Sequence, residues 1–249
     1  VRGREIIRRD LAERCKEHPA WLLDRMRCVD SPTGETFEFQ MIDPSAPWYW
    51  QRELVDEWVA NPKNIDLKAR QLGITWLAGA FGVWTMLFTP GSHVLVMSVK
   101  EDEAVKVLNR MWDMLHSLPD WLWNGAVAIK PVGGARPTTE IQLRFPDGRV
   151  SLVRGLSSTP AAGQGMTAAL VILDEFSRQP YAEETWGGIL PTTSAGGRVI
   201  VISTGNGISN PLGGGNFFHH LWVNADTLGI RKRFLPWDLH PLRDDEWYR

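Results

Sequence analysis

A chain of 249 residues with 27 basic and 29 acidic side chains, a net charge of −2 and a pI near 6.3 has no global attraction to nucleic acid. Its hydrophobic content of 43% and charged content of 22% exclude a disordered chain, and the length suffices to bury a substantial core without staples. No apolar run approaches the length needed to span a bilayer, and Val1–Asp10 is too polar and Arg-rich for a secretory signal.

In chain order, Leu11, Cys15, Trp21, Leu22 and Met26 predict one helix over 11–28. Cys15 and Cys28, the two cysteines, have no framework or metal-ligand spacing and read as half-buried thiols of a reducing cytosol. A turn at 31–34 leads to a short alternating strand over 36–42, and Pro44 and Pro47 precede a helix over 48–59. Residues 1–60 are expected to form a helical appendage, and residues 61–249 the core.

Within that core, Ile65, Leu67 and Ala69 alternate into a loop, followed by an apolar helix over 75–88. A strand over 93–99 precedes an amphipathic helix over 101–118, whose first turn carries the acids that the helix dipole favours. Pro146-Asp147-Gly148-Arg149 joins strands over 140–145 and 150–154 as a hairpin. A loop over 155–167 is followed by a strand over 169–173, a helix over 182–190 and a strand over 198–203. Helices alternating with strands that are apolar on both faces predict an α/β fold with a mainly parallel sheet flanked by helices. The 13 tryptophans are spread along the chain, which favours packing over a base-stacking platform. Any DNA contact falls to local patches such as Arg231-Lys232-Arg233, a pattern that also fits a solvated strand face.

Two segments carry chemistry. In Lys68-Ala69-Arg70-Gln71-Leu72-Gly73-Ile74-Thr75, Gly73 and Thr75 fit a phosphate-binding loop, but Ile74 stands where the lysine belongs and Lys68 stands at the start. Backbone N–H groups at the helix start would face phosphate, Thr75 would offer a hydroxyl to Mg²⁺, and Lys68 would reach the same oxygens from the other end, with Arg70 as a second cation. In Leu170-Val171-Ile172-Leu173-Asp174-Glu175 a buried strand delivers two acids at its carboxyl end, where open α/β sheets bind ligands. Asp174 would hold hydrated Mg²⁺ and Glu175 would orient the attacking water. Both segments are expected on neighbouring strands. Gln51, beside Trp48 and Trp50, could read an adenine edge, and Ser203-Thr204 at a later strand end could sense the γ-phosphate.

The order Gln51, Lys68–Thr75, Asp174-Glu175 and Ser203-Thr204-Gly205 resembles the ATPase domain of the large terminase subunit of tailed bacteriophages, over about residues 45–249. The displaced lysine with Arg-Gln inside the loop is the most telling part. The resemblance implies a P-loop fold of the ASCE type and an ATP- and Mg²⁺-dependent motor. It would act in the host cytoplasm as a homo-oligomeric ring at the capsid portal and translocate double-stranded viral DNA. Its partners would be the portal protein and the small terminase subunit, with no membrane, and the isolated domain would be a monomer. It further implies that Lys68 binds the β- and γ-phosphates, Arg70 contacts the γ-phosphate from within the same subunit, Gln51 reads the adenine, Thr75 and Asp174 hold Mg²⁺, Glu175 is the catalytic carboxylate and Ser203-Thr204 couple the cycle. Gln164-Gly165 stands where many terminases carry a trans-acting arginine, which leaves Arg154 and Arg178 as substitutes. Asp238, Asp244, Asp245 and Glu246 read as a solvated linker, so nuclease activity is not expected of this segment. The alternatives are a helicase-like nucleic-acid motor and a nucleotide-binding assembly switch without turnover.

Overall fold

The computed structural model describes residues 2–29, 33–129, 139–160, 163, 165–193, 196–208 and 215–248. The chain opens with helices α1 (Arg2–Glu17) and α2 (Pro19–Leu23), strands β1 (Arg27–Val29) and β2 (Thr36–Glu38), and helix α3 (Trp50–Ala60). It continues as β3 (Lys63–Lys68), α4 (Ile74–Phe88), β4 (His93–Ser98), α5 (Glu101–Ser117), β5 (Val127–Ile129), β6 (Glu140–Arg144) and β7 (Val150–Ser157). The last part contains β8 (Leu170–Leu173), α6 (Ala182–Thr192), β9 (Arg198–Ser203), α7 (Gly215–Val223), β10 (Arg231–Leu235) and α8 (Asp245–Tyr248).

The helix expected over 11–28 starts earlier and ends sooner. Charge pairs one turn apart, Arg14–Asp10 at 3.0 Å and Arg9–Glu13 at 3.3 Å, support the polar second half of α1. Pro19 ends α1, because proline cannot donate the next helical bond; it opens α2 instead, with His18 Nδ1 capping the Ala20 N–H at 3.2 Å. The strand expected over 36–42 is confined to β2, and residues 31 and 32 of the expected turn lie outside the described residues. Cys15 and Cys28 are fully buried rather than half-buried, and burial pushes their thiols up to about 11 and about 12.

The eight-stranded sheet has the order β10-β3-β9-β8-β4-β7-β6-β5. The strands from β10 to β7 run parallel, and β6 and β5 add an antiparallel edge through the hairpin that the Pro146–Arg149 turn forms. β3 and β8 are not neighbours, because β9 lies between them and pairs with both. That corrects the expected adjacency, and it sets a third strand end between the two chemical segments.

Alternation along the central strands divides the core into two layers. Val94, Val96, Leu170, Ile172, Ile200 and Ile202 pack on one face with α4 and α5, and the same cluster continues through α2 and α3 to Leu22, Leu54 and Trp58. Leu95, Met97, Val171, Leu173, Val199 and Val201 pack on the other face with α6 and α7, through Trp186, Ile189, Phe218 and Leu221. α4 packs closely on α5 at Gly82, where a Cβ would come within 2.8 Å of Met111 Cε and the methionine end would have to shift. No helix among the described residues is long and apolar enough to cross a membrane.

Candidate nucleotide-binding site

The parallel strands β3, β9 and β8 end on one edge of the sheet, and their parity decides which side chains meet there. Even-numbered residues of β8 and β9 face α4, so Asp174 and Thr204 continue the rows Leu170–Ile172 and Ile200–Ile202. On β3 the same face carries Asp66 and Lys68. Lys68, Asp174 and Thr204 converge with Glu175 beside the start of α4, whereas Asp66 lies deeper and bonds the Trp58 indole. Lys68 Nζ lies 2.8 Å from Glu175 Oε1, with the lysine 8% and the glutamate 28% exposed. The Thr204 hydroxyl donates to Glu175 Oε2 at 3.0 Å, and Arg178 Nε stands 3.8 Å from the same oxygen. The Thr75 hydroxyl donates to Asp174 Oδ1 at 3.0 Å.

Burial sets the electrostatics. Loss of solvent pushes the Asp174 carboxyl up to about 6, against the opposing charge of Lys68. For Glu175, burial alone would raise the pKa; the Lys68 charge and the hydrogen bonds from Lys68 and Thr204 outweigh it and hold the carboxyl below its ordinary range. Glu175 also sits in left-handed backbone, φ +49°, directly after the last strand residue and Asp174. Gln179, fully buried, steadies this turn by donating its amide to the carbonyls of Asp174 at 3.0 Å and Met97 at 3.3 Å, the ends of β8 and β4.

The loop from Lys68 to Thr75 is fixed along its length. Ala69 N–H donates to Leu235 O at 2.8 Å, and the Gln51 amide donates to Leu72 O at 3.1 Å. Gly73 starts α4 in left-handed backbone, φ +73°, and a Cβ there would stand 3.3 Å from Gln51 Nε2, so glycine suits both the angle and the space. Ile74, at the place of the usual lysine, is buried in the core with Leu72, a setting for an apolar side chain and not an ammonium. The Arg70 side chain is exposed and makes no ion pair among the described residues.

Of the remaining expected residues, Ser203 points to the opposite face, where its hydroxyl accepts from Ser177 N–H at 3.0 Å and donates to Ser177 Oγ at 2.7 Å. Only Thr204 of that pair touches the carboxylate. Arg154 pairs with Glu140 at 3.1 Å on the β6–β7 hairpin and not with any residue of this cluster. Gln164 lies outside the described residues. Trp50 packs against the core, its buried indole N–H without a hydrogen-bond partner among the described residues, while Trp48 remains beside the loop.

A cavity of about 510 Å³ next to the loop is lined by Phe37, Trp48, Gln51, Gln71, Gly73 and Trp76, among others. Phe37 and Trp76 meet edge to face at 5.3 Å, and the Arg110 guanidinium lies 4.6 Å over the Trp76 ring. Phe37 and Trp76 were not expected here from sequence, although an aromatic directly after the loop threonine is a visible signal. Arg231, Lys232 and Arg233 are engaged by Glu57 at 2.8 Å, Asp226 at 3.3 Å and Glu53 at 3.0 Å, so this basic run is charge-paired along the edge strand β10.

No family model matches the chain. Among solved structures it resembles the large terminase ATPase domain of Thermus phage P74-26, in a mutant form, at a TM-score of 0.63 and 20% identity, over 83% of this chain and 86% of that one. The HK97 bacteriophage large terminase matches at a TM-score of 0.60 and 18% identity, over 88% of this chain and 43% of that one. A large terminase from a thermophilic bacteriophage in complex with ATP-gamma-S matches at 0.57 and 14%, over 79% of this chain and 45% of that one. The chain therefore has the P-loop α/β fold of bacteriophage large terminase ATPase domains.

Proposed function

We propose that the chain is an ATP-hydrolysing motor domain that drives double-stranded DNA into a viral capsid. The observation that carries this reading is the convergence of one ammonium, two carboxylates and one hydroxyl at the ends of three parallel strands with a second hydroxyl, that of Thr75, from the first turn of a glycine-initiated helix. The triphosphate would lie along residues 70–75, its oxygens facing the N–H groups at the start of α4, where the helix dipole favours anions. Lys68 would exchange Glu175 for the β- and γ-phosphates, and Arg70 would approach from the exposed rim. The adenine would enter the aromatic cavity beside Trp48, Phe37 and Trp76, near the Gln51 amide.

The adjacent hydroxyl and carboxyl oxygens of Thr75 and Asp174 form a hard-donor set that suits Mg²⁺, which takes few protein ligands and completes its shell with water and phosphate. When bound, Mg²⁺ would neutralise charge on the phosphate oxygens. Glu175 Oε1, released by Lys68, would orient and polarise the attacking water while Thr204 holds Oε2 in place. Thr204, tied through Ser177 to Ser203, would pass the loss of the γ-phosphate to the opposite face of the sheet. Residues 1–60 would act as the lid that carries the adenine segment. A ring of copies at the portal in the host cytoplasm, with the small terminase subunit, is the matching assembly; Arg178 beside Glu175 and Arg154 on the hairpin are the arginines available to it.

Lys68→Ala tests this reading. With Mg-ATP it should lose both affinity and turnover, as removal of a phosphate-binding cation requires. Unchanged affinity and rate would remove Lys68 from the site. Tight binding by the parent with no hydrolysis, even when assembled, would identify a nucleotide-binding module instead.

A further inference from the structure

We propose that Arg243, in the segment after β10, is a positioning residue that holds the phosphate-binding loop in its binding shape. The inference rests on the reading of residues 68–75 as that loop. Leu235, the last residue of β10, accepts from Ala69 N–H at 2.8 Å, so the chain leaves the sheet beside the start of the loop. It then turns back, and the His240 ring packs edge-on against Trp48 at 5.1 Å. This brings the Arg243 guanidinium over the loop apex. Nη1 donates to the Arg70 carbonyl at 3.0 Å, and Nη2 donates to Gln71 Oε1 at 2.6 Å. Behind it, the cation lies 4.4 Å over the Trp247 ring, which stacks on Trp237 at 5.7 Å, while Asp244 caps Trp247 N–H at 2.9 Å.

The residue so held is in an unusual conformation. Gln71 has φ +63°, left-handed backbone that a non-glycine residue adopts only when its surroundings impose it. One fork of donors grips the carbonyl before Gln71 and the side chain of Gln71 itself, fixing the intervening peptide. That peptide sets the direction of the following N–H groups, which are the ones placed to face an anion. The planar fork matches two acceptors at once, which a lysine ammonium does not.

Three variants of the full chain, Arg243→Ala, Arg243→Lys and Gln71→Gly, test the inference together with the Arg243→Ala/Gln71→Gly double variant. In Arg243→Ala the KM for Mg-ATP should rise about tenfold, the scale of losing charged hydrogen bonds, while kcat falls much less. Arg243→Lys should not restore it. In the Gln71→Gly background, where the left-handed angle carries no strain and the amide acceptor is gone, Arg243→Ala should have an effect of less than about twofold. An equal effect in both backgrounds, or none in either, would overturn the inference. Hydrogen exchange without nucleotide separates this from failure of the ATP reading itself. The Leu77 amide, bonded to the Gly73 carbonyl at 3.0 Å, should exchange faster in Arg243→Ala whether or not the protein takes ATP, and unchanged exchange would also overturn the inference.

Discussion

At the scale of single residues, the Lys68–Glu175 pair is the feature whose energetics point away from a purely structural role. Burying an ion pair gains little net stability, because the desolvation of both groups offsets their attraction. A part-buried pair held at 2.8 Å beyond the strand ends is therefore better placed to exchange partners than to hold the fold. Gly73 is the opposite case, since both its angle and its space are committed. Gly73→Ala should cost about 1–2 kcal/mol for the left-handed backbone and weaken nucleotide binding by pressing on the Gln51 amide. Thermal melts and ATP titration check both, and wild-type values in both would show that the loop relaxes freely. Lys68, Thr75, Asp174 and Glu175 were legible in the sequence because each stands at a fixed offset from a strand end or a helix start. Which of Trp48 and Trp50 lines the cavity was not, because both flank Gln51 and only the start of α3 at Trp50 turns that ring onto the core. Nor was Thr204 separable from Ser203 until the parity of β9 was known.

At the scale of elements, β4, β8 and β9 were readable as strands because burial on both faces requires continuous apolar runs. The edge strand β10 carried no such run: its basic residues are stabilised by acids of α3 and by Asp226, partners that no local pattern reveals. The insertion of β9 between β3 and β8 is likewise a long-range fact, decided by which strands pair and not by any one of them. Strand β3 also carries a buried acid. Asp66 accepts from Trp58 Nε1 at 2.9 Å, and burial pushes its carboxyl from the usual 3.8 up to about 7. The folded state therefore binds a proton that the unfolded chain releases between those values, so stability should fall as pH rises through that window. Asp66→Asn keeps an acceptor for the indole and removes the titration. It should flatten the pH dependence of the urea midpoint between about pH 4 and 7, by an amount on the order of a few kcal/mol. Parallel curves for parent and variant would mean that Asp66 does not carry this slope.

At the scale of the whole molecule, the likeness to terminase ATPase domains extends over most of this chain but less than half of the HK97 subunit. A ring motor whose site is completed by a neighbour should gain specific ATPase activity as protein concentration rises, and double-stranded DNA should raise it further. A specific activity independent of both would favour a self-sufficient or non-translocating nucleotide module. What every version of the motor requires is that Lys68 and Glu175 serve one triphosphate, the first as its ligand and the second as the group that readies the water. Glu175→Gln measures this most directly, in paired ATP-binding and single-turnover experiments. The substitution frees Lys68 from its carboxylate, so Mg-ATP should bind at least as tightly as in the parent, while hydrolysis should fall on the order of a hundredfold or more. Parent-like hydrolysis in Glu175→Gln would contradict the account.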